Sequence, residues 1–468
     1  MTGEGMGLVR LFRGKVSAFK WLYPGMKVKR WLALLLVGVT ILALGFAYLL
    51  RSIYETWTFP SIVYYLTLQF ISRELRAVLF GAIGLGAIIV AVLQLNRSLL
   101  AAFLPPGQEK VVDIVYRHRF QSNRGPKIVA IGGGTGLSTL LRGLKEYSSN
   151  IVAILTVADD GGSSGRIREH LGMPPPGDFR NCIVALANDE SMVTRLFQYR
   201  FGGDDELVGH SFGNLFIAAM TGITGNFERA VLESSRVLAV RGQILPSTLE
   251  DVTLCAEVVE KNAQGERICQ VEGESQIPQP GRMIQRVYLK PDGARAYPGA
   301  LRAILEADLI VIGPGSLYTS IIPNLLIAEI ARAIQIAPAP KVYICNAATQ
   351  LGETEGFSVE RHIETLQRYL GKVFLHVLVN NNFNVEVPAD WAVSLVRREA
   401  AESQSHPDYR IEEADLVDPV NPWRHHSQKL ASRLMKLYES LREGKKRSER
   451  HLLAEQSEPL TLKEDKLS

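Results

Sequence analysis

Two hydrophobic patterns divide the chain. Trp31 to Leu50 and Ala77 to Asn96 each run for twenty positions without a charge, whereas from Lys127 onward short apolar runs alternate with stretches at helical spacing. At a rise of about 1.5 Å per residue, either uncharged run, as a helix, covers a hydrocarbon core about 30 Å thick. The pattern predicts two transmembrane helices, 31–50 and 77–96, forming a hairpin within a basic N-terminal region, residues 1–103. A buried globular helix is the plainer alternative to each run, but two of them near one terminus are uncommon in soluble domains. A secretory signal peptide fits poorly, because the apolar run begins late, is long and lacks an A-x-A cleavage site.

Lys and Arg flank these runs unevenly. Seven precede the first (Arg10, Arg13, Lys15, Lys20, Lys27, Lys29, Arg30), Arg51, Arg73 and Arg76 lie between the two, and six follow the second through Lys127. Cytoplasmic flanks carry the excess of basic residues, so both ends are placed in the cytoplasm. The expectation is a multi-pass protein of the inner or plasma membrane with its C-terminal domain cytoplasmic. Thr56 to Ser72 is uncharged and rich in aromatic residues but contains Pro60. It reads as an interfacial helix on the outer face; as a third span it would move the C-terminal body outside.

The body reads differently. After a linker from Leu104 to Pro126, with its Pro-Pro-Gly, strand-like runs appear at Lys127 to Ile131, Ile151 to Val157, Leu309 to Ile312, Lys341 to Cys345 and Val373 to Val379. Their alternation with helical patterns predicts an α/β fold, a Rossmann-like parallel sheet with helices on both faces, over residues 127–441. The region 245–297 alternates polar with apolar residues and reads as a small β-rich insertion. The tail 442–468 is charged and Ser-rich and reads as disordered.

Composition narrows the partners. With 47% hydrophobic and 21% charged residues the chain has ample core, and a net charge of +4 points to no nucleic acid or other acidic polymer. Cys182, Cys255, Cys269 and Cys345 show no zinc-ligand spacing and read as buried thiols in a reducing compartment. A homo-oligomer is compatible with all of this.

The candidate chemistry sits in loops that follow the strands, where an open parallel sheet binds its ligands. Gly132-Gly133-Gly134-Thr135-Gly136 lies between a strand and a helix beginning near Leu137; glycines permit close backbone approach, and free amides at a helix start favour an anion. The spacing is neither a clean dinucleotide fingerprint nor a P-loop. The second strand runs into Asp159-Asp160-Gly161-Gly162, paired acids that suit a ribose, a base edge or Mg²⁺, or simply a solvated Asp-Gly turn. Gly177-Asp178-Phe179-Arg180-Asn181 leads into a helix, which Asp178 could cap as well as bind ligand. His210 and Asn214 open an apolar helix; Asn214 is the better ligand candidate, and His210 reads first as packing or capping. Gly313-Pro314-Gly315-Ser316-Leu317-Tyr318-Thr319-Ser320 repeats the phosphate-cradle logic with hydroxyls added, so two phosphates or a diphosphate are expected. A nicotinamide-cofactor enzyme is a weaker reading of the first loop with Asp159.

Six segments in this order resemble the CofD-like superfamily, most closely its YvcK branch of gluconeogenesis factors. They are Ile131 to Leu137, Ala158 to Arg166, Pro175 to Asn181, Gly209 to Asn214, Gly313 to Asn324, and Asn346 to Thr354, which includes Asn346, Thr349 and Gln350. The resemblance spans Lys127 to about Leu441. It implies a UDP-sugar ligand, notably UDP-N-acetylglucosamine, and a role in regulating cell-wall precursor synthesis and cell shape, with no firmly attached catalysis. The CofD branch implies instead transfer of a phospholactyl group to a deazaflavin from a nucleotide-activated donor with Mg²⁺, for which Asp159 and Asp160 would be the metal candidates. Trp423-Arg424-His425-His426 resembles the branch's Arg-His-Asp segment, implying that Arg424 meets the ligand's charge, although His426 replaces the acid.

Overall fold

In the computed structural model, residues 28–56, 61–101, 125–187, 190–203, 207–262, 265–385, 393–399 and 406–456 are described. The chain divides into two units, Met1–Ser122 and Asn123–Ser468.

The first unit contains α1 (Val28–Thr56), α2 (Ser61–Leu66) and α3 (Arg73–Ala101). The described apolar side chains of α1 and α3 are exposed, among them Ile41, Leu42, Phe46, Val78 and Ile83. Yet among the described residues no single helix is long and apolar enough to cross a membrane, and those of α1 give an apolar stretch of Val37–Ile53. The expected spans 31–50 and 77–96 include side chains outside the described set, so the transmembrane hairpin is not carried by this structure. The basic segment 1–27, Pro60 and most of the linker, 102–124, also lie outside it.

The second unit begins with β1 (Ile128–Gly132), β2 (Ile151–Leu155) and β3 (Gln243–Pro246). Next come β4 (Thr253–Asn262), β5 (Gly265–Glu272) and β6 (Arg282–Lys290), then β7 (Leu309–Ile312), β8 (Lys341–Ile344), β9 (Leu375–Asn380) and β10 (Tyr409–Ala414). Seven of these form one parallel sheet in the order β10-β9-β8-β7-β1-β2-β3. Its central strands, Ile-Val-Ala-Ile-Gly and Leu-Ile-Val-Ile, are wholly buried, as strands covered on both faces must be. The other three make an antiparallel sheet, β5-β4-β6. The β-rich region therefore starts later than 245: Leu245 and Pro246 pair with Ile154 and Leu155 of the main sheet.

Flanking the sheet are α4 (Gly134–Leu144), α5 (Gly162–Leu171), α6 (Gly177–Leu186), α7 (Glu190–Gln198), α8 (Phe212–Thr224) and α9 (Phe227–Val237). They are followed by α10 (Pro298–Leu305), α11 (Ile322–Leu325), α12 (Ala328–Ile336), α13 (Val359–Leu370) and α14 (Ser427–Gln456). Leu137, Leu140, Leu141 and Leu144 give α4 a buried stripe at helical spacing. The carbonyl of Ser427, at the start of α14, comes so close to Gly143 that any side chain there would strike it. The tail differs from its expected disorder, since α14 continues through Gln456. Buried Leu430, Leu434 and Leu437 seat the helix, and the Glu, Lys and Arg that follow are strong helix formers. Residues 457–468 lie outside the described set.

The strand order has one reversal. From β1 the chain winds outward through β2 and β3, then returns to place β7 on the other side of β1 and winds the opposite way. The crevice beyond the carboxyl ends of β1 and β7 is the topological switch point, where such sheets bind ligands.

Candidate functional site

Both glycine loops open at that switch point. β1 ends in Gly132, Gly133 stays extended, and Gly134, at φ +66°, begins α4 three residues earlier than Leu137. β7 runs into Gly313 at φ +78°, then Gly315 and a π-helical turn, Leu317–Ile321. The loops lie directly on each other. A Cβ at Gly136 would stand 2.7 Å from the carbonyl oxygen of Pro314, and one at Gly315 would stand 3.2 Å from that of Gly133. Fully buried Asn324 clips them together, donating to the carbonyls of Gly132 at 3.1 Å and Ser320 at 2.9 Å. Asn324→Leu is expected to lower unfolding stability by roughly 2 kcal/mol, because both bonds of the clip are lost and the Gly132 carbonyl keeps only its 3.3 Å bond from the Thr156 amide. Urea denaturation measures this, and an unchanged midpoint would show that the loops hold each other unaided.

Carboxylates surround the crevice. Asp178 does not cap its own helix: α6 has Pro176 at its N-cap, and Asp178 Oδ2 accepts instead from the Gly134 amide at 2.7 Å, across the crevice at the start of α4. Burial pushes this carboxyl up to about 6, against the amide bond and helped by the Asp159 charge. Glu353 accepts from the Tyr318 amide at 3.2 Å and the Thr319 hydroxyl at 2.9 Å; burial pushes it up to about 7. Glu274, from the small sheet, is raised to about 8 by burial and by Asp159, Glu353 and Asp160. Asp159 is also raised, chiefly by burial, while its Oδ1 accepts from Gly161 N at 2.9 Å.

One cation faces this ring from the α6 side. Arg180 donates to three neutral acceptors, Ser211 Oγ at 2.7 Å, Asn214 Oδ1 at 3.2 Å and Asn181 Oδ1 at 2.9 Å, and its Nε–H is buried without an acceptor. Asn214 also donates to Ser163, whose hydroxyl pairs with His210 Nδ1 at 3.1 Å. Burial lowers the His210 pKa, aided by Arg166 and His170. His210 thus supports the network as a packed, neutral ring. A fixed guanidinium with a spare donor is suited to an oxyanion.

The remaining candidates divide. Ser316 Oγ accepts from Gln350 Nε2 at 2.7 Å, and Asn346 Nδ2 lies 3.4 Å from Gln350 Oε1, so the loop after β8 braces the second glycine loop. Ser320 lies against both loops, 3.4 Å from a Cβ placed at Gly133 or Gly315. Gly162, at φ +48°, starts α5, and Thr135 is exposed in the first turn of α4. The Tyr318 ring turns into the core against Phe357, so the residue offers the crevice backbone alone. Thr349 is spent on Ser394. Arg424 is exposed, with its backbone closing a turn onto Asp418 and Asn421. The buried ring beside it is His425, whose pKa burial lowers to about 4.

Mg²⁺ fits poorly at Asp159 and Asp160. Asp160 Oδ1 is taken by the Ser275 amide at 2.8 Å, and among the described residues no group of three or more His, Cys, Asp or Glu is placed to hold a metal ion. The sequence reading also missed Glu274, Asn324 and Glu353 as site residues. Asn324 and Glu353 fall inside motifs already singled out, but only the fold reveals that one clips two loops and the other caps an amide. Glu274 carries no signal at all, since its role depends on where the small sheet lands.

Paired glycine loops, a buried guanidinium and a switch-point crevice define a doubly wound α/β protein suited to an anionic ligand. The comparisons are specific. Residues 128–418 match the family model for 2-phospho-L-lactate transferase CofD. A protein of Nostoc sp. is 46% identical over 448 residues, covering 91% of this chain and 94% of that one. The gluconeogenesis factor of Bacillus subtilis is 46% identical over 324 residues, covering 67% of this chain and 98% of its own. A crystal structure of a UPF0052 family member from Bacillus halodurans superposes with a TM-score of 0.58 at 40% identity, covering 67% of this chain and 99% of that one. The chain belongs to the CofD family, among the YvcK-like gluconeogenesis factors.

Proposed function

We propose that the crevice binds a UDP-sugar of the UDP-N-acetylglucosamine class, and that the chain is a non-catalytic regulator of cell-wall precursor supply and cell shape, held at the cytoplasmic face of a membrane by its N-terminal helices. The observation that carries this reading is the packing of two glycine loops against each other at the switch point. Their bare backbones admit two adjacent phosphates at close range. Arg180, bonded to neutral acceptors with one buried N–H to spare, supplies a matching positive charge. Exposed apolar side chains along α1 and α3 support attachment, because helices this apolar on their surface are out of place in water.

Titration calorimetry on the full chain in detergent tests the ligand. Heat with UDP-N-acetylglucosamine, weaker heat with UDP and none with free N-acetylglucosamine is the expected order. No heat with UDP-N-acetylglucosamine at millimolar concentration would overturn it. A C-terminal reporter active only in the exterior compartment would overturn the cytoplasmic placement.

The match to the CofD model favours a second reading, transfer of a phospholactyl group from a nucleotide-activated donor to a deazaflavin. Phospholactylated deazaflavin formed by the purified chain would establish it, whether or not UDP-sugars bind.

A further inference from the structure

Three arginines, from α5, α6 and the segment after α7, converge on one short stretch of backbone beside the crevice. Residues 199–201 lie antiparallel to 209–212: Phe201 N donates to His210 O at 3.0 Å, Gly209 N to Phe201 O at 2.9 Å and Phe212 N to Tyr199 O at 2.8 Å. Arg166, in α5, donates from Nη2 to Val208 O at 2.9 Å. Arg200 donates from Nη1 to Gly209 O at 2.8 Å, and Arg180, in α6, from Nη1 to Ser211 Oγ at 2.7 Å. The acceptors belong to four consecutive residues, Val208 to Ser211, which span about 10 Å even when fully extended. Gly209, at φ +75°, admits this approach, since a Cβ there would stand 3.2 Å from Arg166 Nη2.

These acceptors are neutral, so they fix the guanidinium groups without cancelling their charge. Among the described residues no carboxylate pairs with any of the three. Asp204, Asp205 and Glu206, which precede Leu207 in the sequence, lie outside that set. Arg166 and Arg200 are exposed, and each gives one of its five N–H groups to a backbone carbonyl. Arg180 is half-buried and keeps its Nε–H without an acceptor. Burial and the neighbouring charge of Arg200 lower the Arg180 pKa, against the pull of Asp178 and Asp159. Like charges held this close repel, and an anion placed among them relieves the repulsion.

The cluster borders the crevice through the start of α5. Ser164 Oγ accepts from the Gly177 amide at 2.8 Å, one residue before Asp178, while Ser163 Oγ meets His210 Nδ1 and Asn214 Nδ2, each at 3.1 Å. In the UDP-sugar reading the glycine loops and Arg180 serve the diphosphate, which leaves Arg166 and Arg200 without an assignment. We propose that Arg166 and Arg200, together with Arg180, form a second anion subsite at the edge of the crevice, one that takes a carboxylate or phosphate carried on the sugar of a UDP-sugar. The inference rests on the UDP-sugar reading above and sharpens it to a preference for an acid-bearing sugar.

Calorimetry on the full chain in detergent compares UDP-N-acetylglucosamine with UDP-N-acetylmuramic acid, the same nucleotide sugar with a lactyl carboxylate added. The wild type is expected to bind the acid about tenfold more tightly, the worth of one charge-assisted hydrogen bond. In an Arg166→Gln, Arg200→Gln double variant the preference should fall to within about twofold, with UDP-N-acetylglucosamine bound as in the wild type. Equal affinities in the wild type, a preference that survives in the variant, or equal loss of both ligands in the variant would each overturn the subsite. If the wild type gives no heat with either, the UDP-sugar reading fails and inorganic phosphate decides the subsite on its own. At constant ionic strength phosphate should then raise the urea midpoint of the wild type and leave the double variant unmoved. Equal responses in the two chains would remove the subsite.

Discussion

Valine at position 136 is expected to abolish UDP-N-acetylglucosamine binding and to lower unfolding stability by about 3 kcal/mol, the upper range for overpacking a tight site. The Gly136 Cβ position is 2.7 Å from the carbonyl oxygen and 2.9 Å from the carbonyl carbon of Pro314, both backbone atoms. No rotamer change relieves such contacts, so the two glycine loops must part. Parting them breaks the geometry on which the diphosphate reading depends, and affinity should fall further than stability. Gly222→Ala is the matching control: it lies in α8 with nothing within 4 Å, and alanine there should raise stability by up to about 1 kcal/mol without touching binding. Urea denaturation and calorimetry on both variants separate the outcomes. Wild-type affinity in Gly136→Val would show that the loops need not touch for ligand to bind.

The core of the sheet was legible because β1, β2, β7, β8 and β9 are buried apolar runs ending in loops, and burial on both faces writes itself into sequence as uninterrupted aliphatics. The edges were not. β3 has an exposed Gln243 and ends in Pro246, and β10 reads Tyr-Arg-Ile-Glu-Glu-Ala, half of it charged, as edge strands tend to be. Both escape a search for hydrophobic runs. The glycine loops were legible for a related reason, since a backbone that turns sharply at φ +66° and +78° demands glycine locally. Asp178 was legible as a site residue but not in its partner, because a carboxylate's reach to Gly134, across the crevice, is set by the sheet and not by its neighbours in sequence. Arg424 shows the converse: its identity is a feature of the motif, yet its side chain is exposed and the buried neighbour is His425.

Glu353→Gln is expected to be more stable than the wild type at pH 8 and equal to it at pH 4.5 or below. Glu353 is only 7% exposed, and burial raises its carboxyl from 4.5 to about 7. A carboxyl whose folded pKa lies above its unfolded value binds its proton more tightly when folded. Its contribution is therefore full below about 4.5, is lost as pH rises toward 7 and stays lost above it. Two to three pKa units at 1.36 kcal/mol each give a difference of about 3 kcal/mol at pH 8. Glutamine keeps the Tyr318 bond through its Oε1 and reverses the Thr319 bond, its Nε2 donating to the hydroxyl oxygen where the carboxylate accepted, so both partners stay paired while the charge is removed. Asp178 and Glu274, raised to about 6 and about 8, act in the same direction, and wild-type stability should decline from about pH 4 to pH 8 with the variant declining less. Urea midpoints at several pH values read this directly. A Glu353→Gln chain less stable than the wild type at pH 8 would mean that the carboxylate, once ionised, is held by a positive partner in the crevice.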